Sequence, residues 1–138
     1  MKLEKYVRII QLPKIKDQRG NLSFLESLNH IPFEIKRTYW IYDVPGGQAH
    51  GGHAFKEQHE FIIALSGSFD VKLNDGNSEL VYSLNRSYYG LYVPNLIWRE
   101  ILNFSTNSVA LIVSSANYGE KDYIHDFIEF QKFTVNEI

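Results

Sequence analysis

From Ile35 to Val113 the chain is divided into short β-rich runs by turn residues, and this rhythm limits the fold more than any other feature of the sequence. Residues 35–42 read as one strand, broken by Pro45-Gly46-Gly47. Residues 61–65 are apolar throughout, as a strand covered on both faces would be, and run into a turn at Ser66-Gly67. Residues 69–73 alternate apolar and polar side chains, which predicts one wet face. Asn74-Asp75-Gly76-Asn77 predicts a tight hairpin, because Asp-Gly supplies the positive φ angles such a turn needs. Residues 80–84, 89–93 and 109–113 complete the set. Strands of this length and spacing predict an all-β barrel or sandwich. The C-terminal segment has another period. Tyr123, Ile124, Phe127, Ile128 and Gln131 recur at helical spacing, with Glu120 and Asp122 placed for a first turn. This predicts about three turns of helix packed on the barrel.

A chain of 138 residues has the size of one compact domain, and one domain over 1–138 is the expectation. Nine Phe, nine Tyr and two Trp supply the bulk for its core. No apolar run reaches the length of a membrane span, and Met1-Lys2-Leu3-Glu4-Lys5-Tyr6 is unlike a secretory leader. The absence of Cys agrees with a cytoplasmic location. A net charge of -2 argues against a nucleic-acid surface.

One stretch has the spacing of a ligand site: Gly47-x5-His53-x-Phe55-x4-Glu60-x6-Gly67. It resembles the first signature of the cupins, in which a second histidine stands at the position of Phe55. Pro94-x-Leu96-x2-Arg99-x3-Asn103 is similar to the second cupin signature, with Arg99 in place of a ligand histidine. The resemblance implies a cupin, or jelly-roll, β-barrel. A metal-binding cupin aims three histidines and a glutamate into one cavity, and here only His53 and Glu60 remain. A guanidinium cannot be deprotonated to ligate a metal and repels one. No metal and no cofactor are therefore expected, and an organic anion is the expected occupant.

Alternate residues of a strand point the same way, so His53 and Phe55 share one face. Arg37, Tyr39 and Ile41 share a face of their own strand, with Trp40 and Tyr42 on the other. If the even-numbered set packs outward, Arg37 points into the cavity. A register error of one residue would reverse that.

The likeness extends beyond the cupin spacing. Residues 32–43 (PFEIKRTYWIYD), Gly52-His53-Ala54, Leu65-Ser66-Gly67-Ser68, Asp75-Gly76, Gly90-Leu91-Tyr92-Val93, Trp98 and Asp122-Tyr123-Ile124 resemble the nucleotide-sugar 3,4-ketoisomerases, over nearly the whole chain from Asp17 to Phe130. The resemblance implies an enzyme that moves the ketone of dTDP-4-keto-6-deoxyglucose from C4 to C3. Its product feeds a transaminase that makes 3-amino sugars for surface glycans or natural products. A homodimer without metal is also implied.

That reaction needs a base to take the C3 proton and return a proton at C4. Histidine suits the task because its pKa lies near neutrality. In the resembled family a His-x-His pair does this. His53 matches the first member and is the expected catalytic base. Phe55 matches the second, and a phenyl ring carries no proton. The second carrier is left open among His59, Glu60, His50, a tyrosine and water, or His53 works alone. Arg37 is expected to bind the diphosphate, because a guanidinium fork holds phosphate through paired charge-assisted bonds. Tyr39, Tyr92 and Trp98 are core residues or ring platforms for the ligand. Arg19, beside Gly20, borders the sugar pocket if the resemblance holds. Arg99 either touches the sugar or pairs with Glu60 or Glu100. His59 and Glu60 are polar site residues or structural hydrogen-bonding groups, and His30 and His125 are assigned to the surface. Two other functions compete: a nucleotide-sugar epimerase, which exchanges the proton at one carbon, and a non-catalytic cupin that binds the nucleotide sugar.

Overall fold

The computed structural model describes residues 6–136; the remainder of the N-terminal hexapeptide read above, and residues 137–138, lie outside it. Its strands are β1 (Arg8–Gln11), β2 (Lys14–Ile15), β3 (Leu22–Ser23), β4 (Arg37–Ile41), β5 (His50–Phe55), β6 (Glu60–Ser66), β7 (Phe69–Asn74), β8 (Glu79–Leu84), β9 (Tyr89–Val93), β10 (Trp98–Leu102), β11 (Val109–Ser114) and β12 (Tyr123–Ile124). One α-helix follows, α1 (Phe127–Asn136). Two five-stranded sheets form, in the orders β1-β9-β6-β11-β4 and β12-β5-β10-β7-β8, and all their pairings are antiparallel. The hairpin foreseen at Asp75-Gly76 joins β7 to β8, with Gly76 at φ 96°.

The sheets face each other across one core. Ile62, Ala64, Leu91, Val93, Ala110 and Ile112 come from the first sheet, and Phe69, Val71, Leu73, Leu84 and Ile101 from the second. Burying these side chains in close contact is the main source of stability. Both outer faces are also partly covered. Leu12, Ile31 and Phe33 from the N-terminal segment cover Phe61, Ile63, Tyr92 and Val113 of the first sheet. Phe130, with Phe127 and Phe133, covers Ala54, Trp98 and Ile124 of the second. This double covering of β6 explains the apolar run from Phe61 to Ala64, while Leu65 is exposed.

The C-terminal helix begins later than the periodicity predicted. Tyr123 and Ile124 are extended and pair with Phe55 and Ala54 of β5. The run Tyr123-Ile124-His125 fits a strand as well as a helix, and backbone pairing with an open sheet edge decides it. The helix starts after Asp126, whose carboxylate accepts the Glu129 N–H at 3.1 Å as an N-cap does. Asp122 lies in a short 3₁₀ turn and anchors the loop between β5 and β6, accepting the Glu57 and Gln58 N–H groups at 2.8 and 3.1 Å.

Candidate active site

Strand parity sends the site residues into the space between the sheets. On β4, Trp40 is exposed, so Arg37 and Tyr39 face inward, resolving the alternative left by the sequence. On β6, Glu60 shares the inner face with Ile62 and Ala64. On β5, Ala54 lies beneath α1, so His53 and Phe55 turn inward. On β10, Trp98 packs under α1 and Arg99 turns inward, directly across from His53. Gly51 makes that arrangement possible. Its φ is 104°, and a Cβ there would lie 2.9 Å from the Arg99 carbonyl oxygen and 3.1 Å from its Nη1.

The inward polar side chains form one network. Arg99 Nε donates to Glu60 Oε1 at 2.7 Å, and both side chains are 2% exposed. Arg99 Nη2 donates to the Tyr39 hydroxyl at 2.8 Å, and that hydroxyl donates to Glu60 Oε2. Gln58 Nε2 donates to the same carboxylate oxygen at 3.2 Å, and Arg37 Nη2 donates to Gln58 Oε1 at 3.3 Å. Burial works against the charge on Arg99, but the Glu60 carboxylate and, less strongly, Tyr39 and Tyr123 together outweigh it and hold the guanidinium's pKa above its ordinary value. Burial also pushes the Tyr39 phenol well above its usual range, so it stays a donor to Glu60. Of the alternatives for Arg99, the pairing with Glu60 is the one observed.

Two buried polar atoms among the described residues have no partner: Arg37 Nε and His53 Nε2. Buried polar groups are nearly always paired, so two orphans among the inward-facing site residues indicate where a ligand's polar atoms would lie. Burial, followed by the positive charges of Arg99, His125 and Arg37, lowers the His53 pKa to about 3. His53 is therefore neutral at physiological pH. Phe55 is buried and meets its ring edge-on at 4.9 Å. Arg37 lies over the rings of Tyr39 and Tyr118, at 4.9 and 5.5 Å, and has no carboxylate partner among the described residues.

Other sequence candidates fall elsewhere. His59 precedes Glu60 and so points to the opposite face of the sheet, where it meets Tyr92 at 2.6 Å and stacks on its ring. Burial lowers its pKa, but it does not face His53. Tyr92 and Trp98 belong to the two outer clusters, which leaves Tyr39 as the inward ring of the three. Arg19 is exposed and bonded to Asp17 at 3.0 Å, in the loop between β2 and β3. His50 meets Phe104, which packs on Phe69, away from His53. His30 accepts the Glu26 N–H at 2.8 Å in a surface loop.

Sequence reasoning missed a cluster beside His53. Tyr123 lies 5.1 Å from the His53 ring and 5.1 Å from the His125 ring, which it stacks upon. His125 is exposed, as assigned, but its ring is 6.3 Å from that of His53. Gln58 was missed too. It is buried at 2% exposure, and a polar residue inside a signature between ligand positions was the available signal.

The residues do not fit a metal. Among the described residues no three His, Cys, Asp or Glu side chains converge, and both Glu60 oxygens are already bonded within the protein. Two facing antiparallel sheets, with these residues on their inner faces at cupin spacing, define a cupin-type β-barrel whose interior carries arginine and histidine side chains. The family described as WxcM-like, C-terminal (FdtA) matches residues 5–135, and the chain belongs to it. It is 38% identical over 126 residues to the TDP-4-oxo-6-deoxy-α-D-glucose-3,4-oxoisomerase of Aneurinibacillus thermoaerophilus, covering 91% of each chain. A 3,4-ketoisomerase from Helicobacter canadensis is 40% identical, with a TM-score of 0.91 and coverage of 94% of this chain and 97% of that one. The 3,4-ketoisomerase QdtA of Thermoanaerobacterium thermosaccharolyticum, solved as a His-to-Asn variant with TDP-4-keto-6-deoxyglucose, is 32% identical, with a TM-score of 0.93 and 96% coverage of each chain.

Proposed function

We propose that this protein is a metal-independent 3,4-ketoisomerase of dTDP-4-keto-6-deoxyglucose in which His53 is the base. The observation that supports this most is the neutral imidazole of His53, whose buried Nε2 is unpaired, turned into the space between the sheets as is an uncompensated guanidinium. A neutral imidazole can take the C3 proton. Because C3 and C4 are adjacent, the same nitrogen can return a proton to C4 without the sugar leaving the site. Arg37 is the cation available for the diphosphate, since Arg99 is neutralised by Glu60. An anionic ligand there also offsets part of the positive field that lowers the His53 pKa, making it a stronger base once substrate is bound. Phe55 packs against the ring and limits its rotation.

The test uses protein treated with a chelator and incubated with dTDP-4-keto-6-deoxyglucose in D2O. NMR should show the ketone at C3 of the product, with deuterium at C4 to the extent that the proton on His53 exchanges with solvent before its return. Inversion at one carbon without migration would establish the epimerase instead. Binding with neither exchange nor migration would leave a binding module, and activity lost on chelation and restored by a metal would overturn metal independence.

Arg37 acts on binding in this scheme. Arg37→Ala should raise KM with a smaller fall in kcat, as removal of a uniform binding contact does. Normal KM with kcat abolished would move Arg37 into the chemical step.

The functional unit proposed is a homodimer. Trp40, Tyr42 and Leu65 are 57%, 60% and 50% exposed. With Val109 and Leu111 they line a groove of about 540 Å³ on the outer face of the first sheet, away from His53. Light scattering should give twice the chain mass of 16.1 kDa. A monomer at micromolar concentration would remove this part of the proposal.

A further inference from the structure

The register of β12 against β5 places a second imidazole beside the first. Tyr123 pairs with Phe55 and Ile124 with Ala54, so His125 follows opposite His53. Ile124 shares the covered outer face with Ala54, which puts Tyr123 and His125 on the inner side with Phe55 and His53. The His125 ring stacks on Tyr123 at 13° and lies 6.3 Å from the His53 ring. At that separation both imidazoles can border the same bound ligand. His125 is also held. Its Nε2 meets Glu120 Oε1 at 2.5 Å, and the other Glu120 oxygen accepts the Tyr118 hydroxyl at 2.7 Å. This leaves His125 Nδ1 without a hydrogen-bond partner among the described residues. A carboxylate-bound imidazole with one free nitrogen beside the base is a common arrangement for proton transfer.

We propose that His125, oriented by Glu120, is the second proton carrier of the isomerisation and does from the end of β12 what Phe55 cannot do from β5. The inference rests on the isomerase reading. In the first half-reaction His53 takes the C3 proton. The C–H electron pair becomes the C3=C4 bond, the carbonyl π pair moves to O4, and protonated His125 gives O4 its proton. In the second half His125 takes the proton of the C3 hydroxyl, and the oxygen pair forms the C3 carbonyl. The C3=C4 pair then takes the proton from His53 at C4. Both imidazoles end as they began. Glu120 is a positioning residue that holds the ring through Nε2.

The experiment compares parent, His125→Gln, Glu120→Gln and the double variant Phe55→His/His125→Gln with dTDP-4-keto-6-deoxyglucose in D2O, following ketone migration and exchange at C3 separately. His125→Gln should lower migration by roughly 10²–10⁴-fold, the worth of a positioned acid or base, at nearly unchanged KM. Exchange at C3 should fall less, because return of a proton to C3 does not require O3 to lose one. Glu120→Gln should lower migration by a smaller factor. The double variant should regain migration, since it restores a second imidazole on β5. Migration by His125→Gln at the parent's rate overturns the proposal and leaves the isomerase reading standing. Equal loss of exchange and migration, without recovery in the double variant, shows a structural role and overturns it too. A parent with neither exchange nor migration overturns both readings.

Discussion

His53→Asn is expected to reduce ketone migration by about 10²–10⁴-fold while retaining substrate binding, because asparagine keeps a polar group at the site and cannot carry the proton. Exchange at C3 should fall by the same factor, since His53 serves both carbons. The pH dependence adds an independent reading. With its pKa lowered to about 3 by burial and by Arg99, His125 and Arg37, His53 is neutral in the free enzyme throughout the neutral range. The limb of kcat/KM that reports its protonation should therefore lie well below an ordinary histidine's pKa of about 6.5. Stability follows with a definite sign. Between about 6.5 and about 3 the unfolded chain holds a proton at this residue and the folded chain does not. Stability thus declines as pH falls through that window, by at most about 1.4 kcal/mol per pH unit from this residue. His53→Asn should flatten that decline. Full activity in His53→Asn, or an acid limb near pH 6.5 that vanishes in the variant, would remove His53 from its assigned role or show it more exposed to water than the geometry indicates.

The second large effect belongs to the buried pair. Arg99→Met leaves the Glu60 carboxylate at 2% exposure without its guanidinium, and breaking such a pair from one side costs about 3–5 kcal/mol. Urea denaturation measures it. The double variant Glu60→Leu/Arg99→Met removes both charges and should recover much of the loss, because the pair's attraction mainly offsets its own desolvation. Recovery should be incomplete, since Tyr39 and Gln58 lose their acceptor. A loss under about 1 kcal/mol in Arg99→Met would show that water reaches Glu60. The pair occupies two of the four cupin ligand positions. Where a metal would join the two sheets, an ion pair from β6 to β10 does so here.

The local features of the chain were legible because their causes are local. Alternation within β4 and β5 put Arg37 with Tyr39 and His53 with Phe55, and parity is a property of one strand. The Asp75-Gly76 hairpin follows from backbone geometry over four residues. The same parity rule separates His59 from Glu60, since adjacent residues at the entry to β6 face opposite ways.

What escaped the sequence depends on which strands meet. Tyr123-Ile124-His125 satisfies a helical and an extended period equally, and the unfilled edge of β5 selects the second. That one pairing moves His125 from an apparent surface helix to a position across from His53. Likewise, Arg99 had Glu60 and Glu100 as possible partners, and only the stacking of one sheet on the other brings Glu60 to 2.7 Å. Side-chain identity and strand parity are written in short segments of sequence and settle what each residue can do. Register between distant strands is set by backbone hydrogen bonds and core packing over the whole molecule, and it settles which residues do it together.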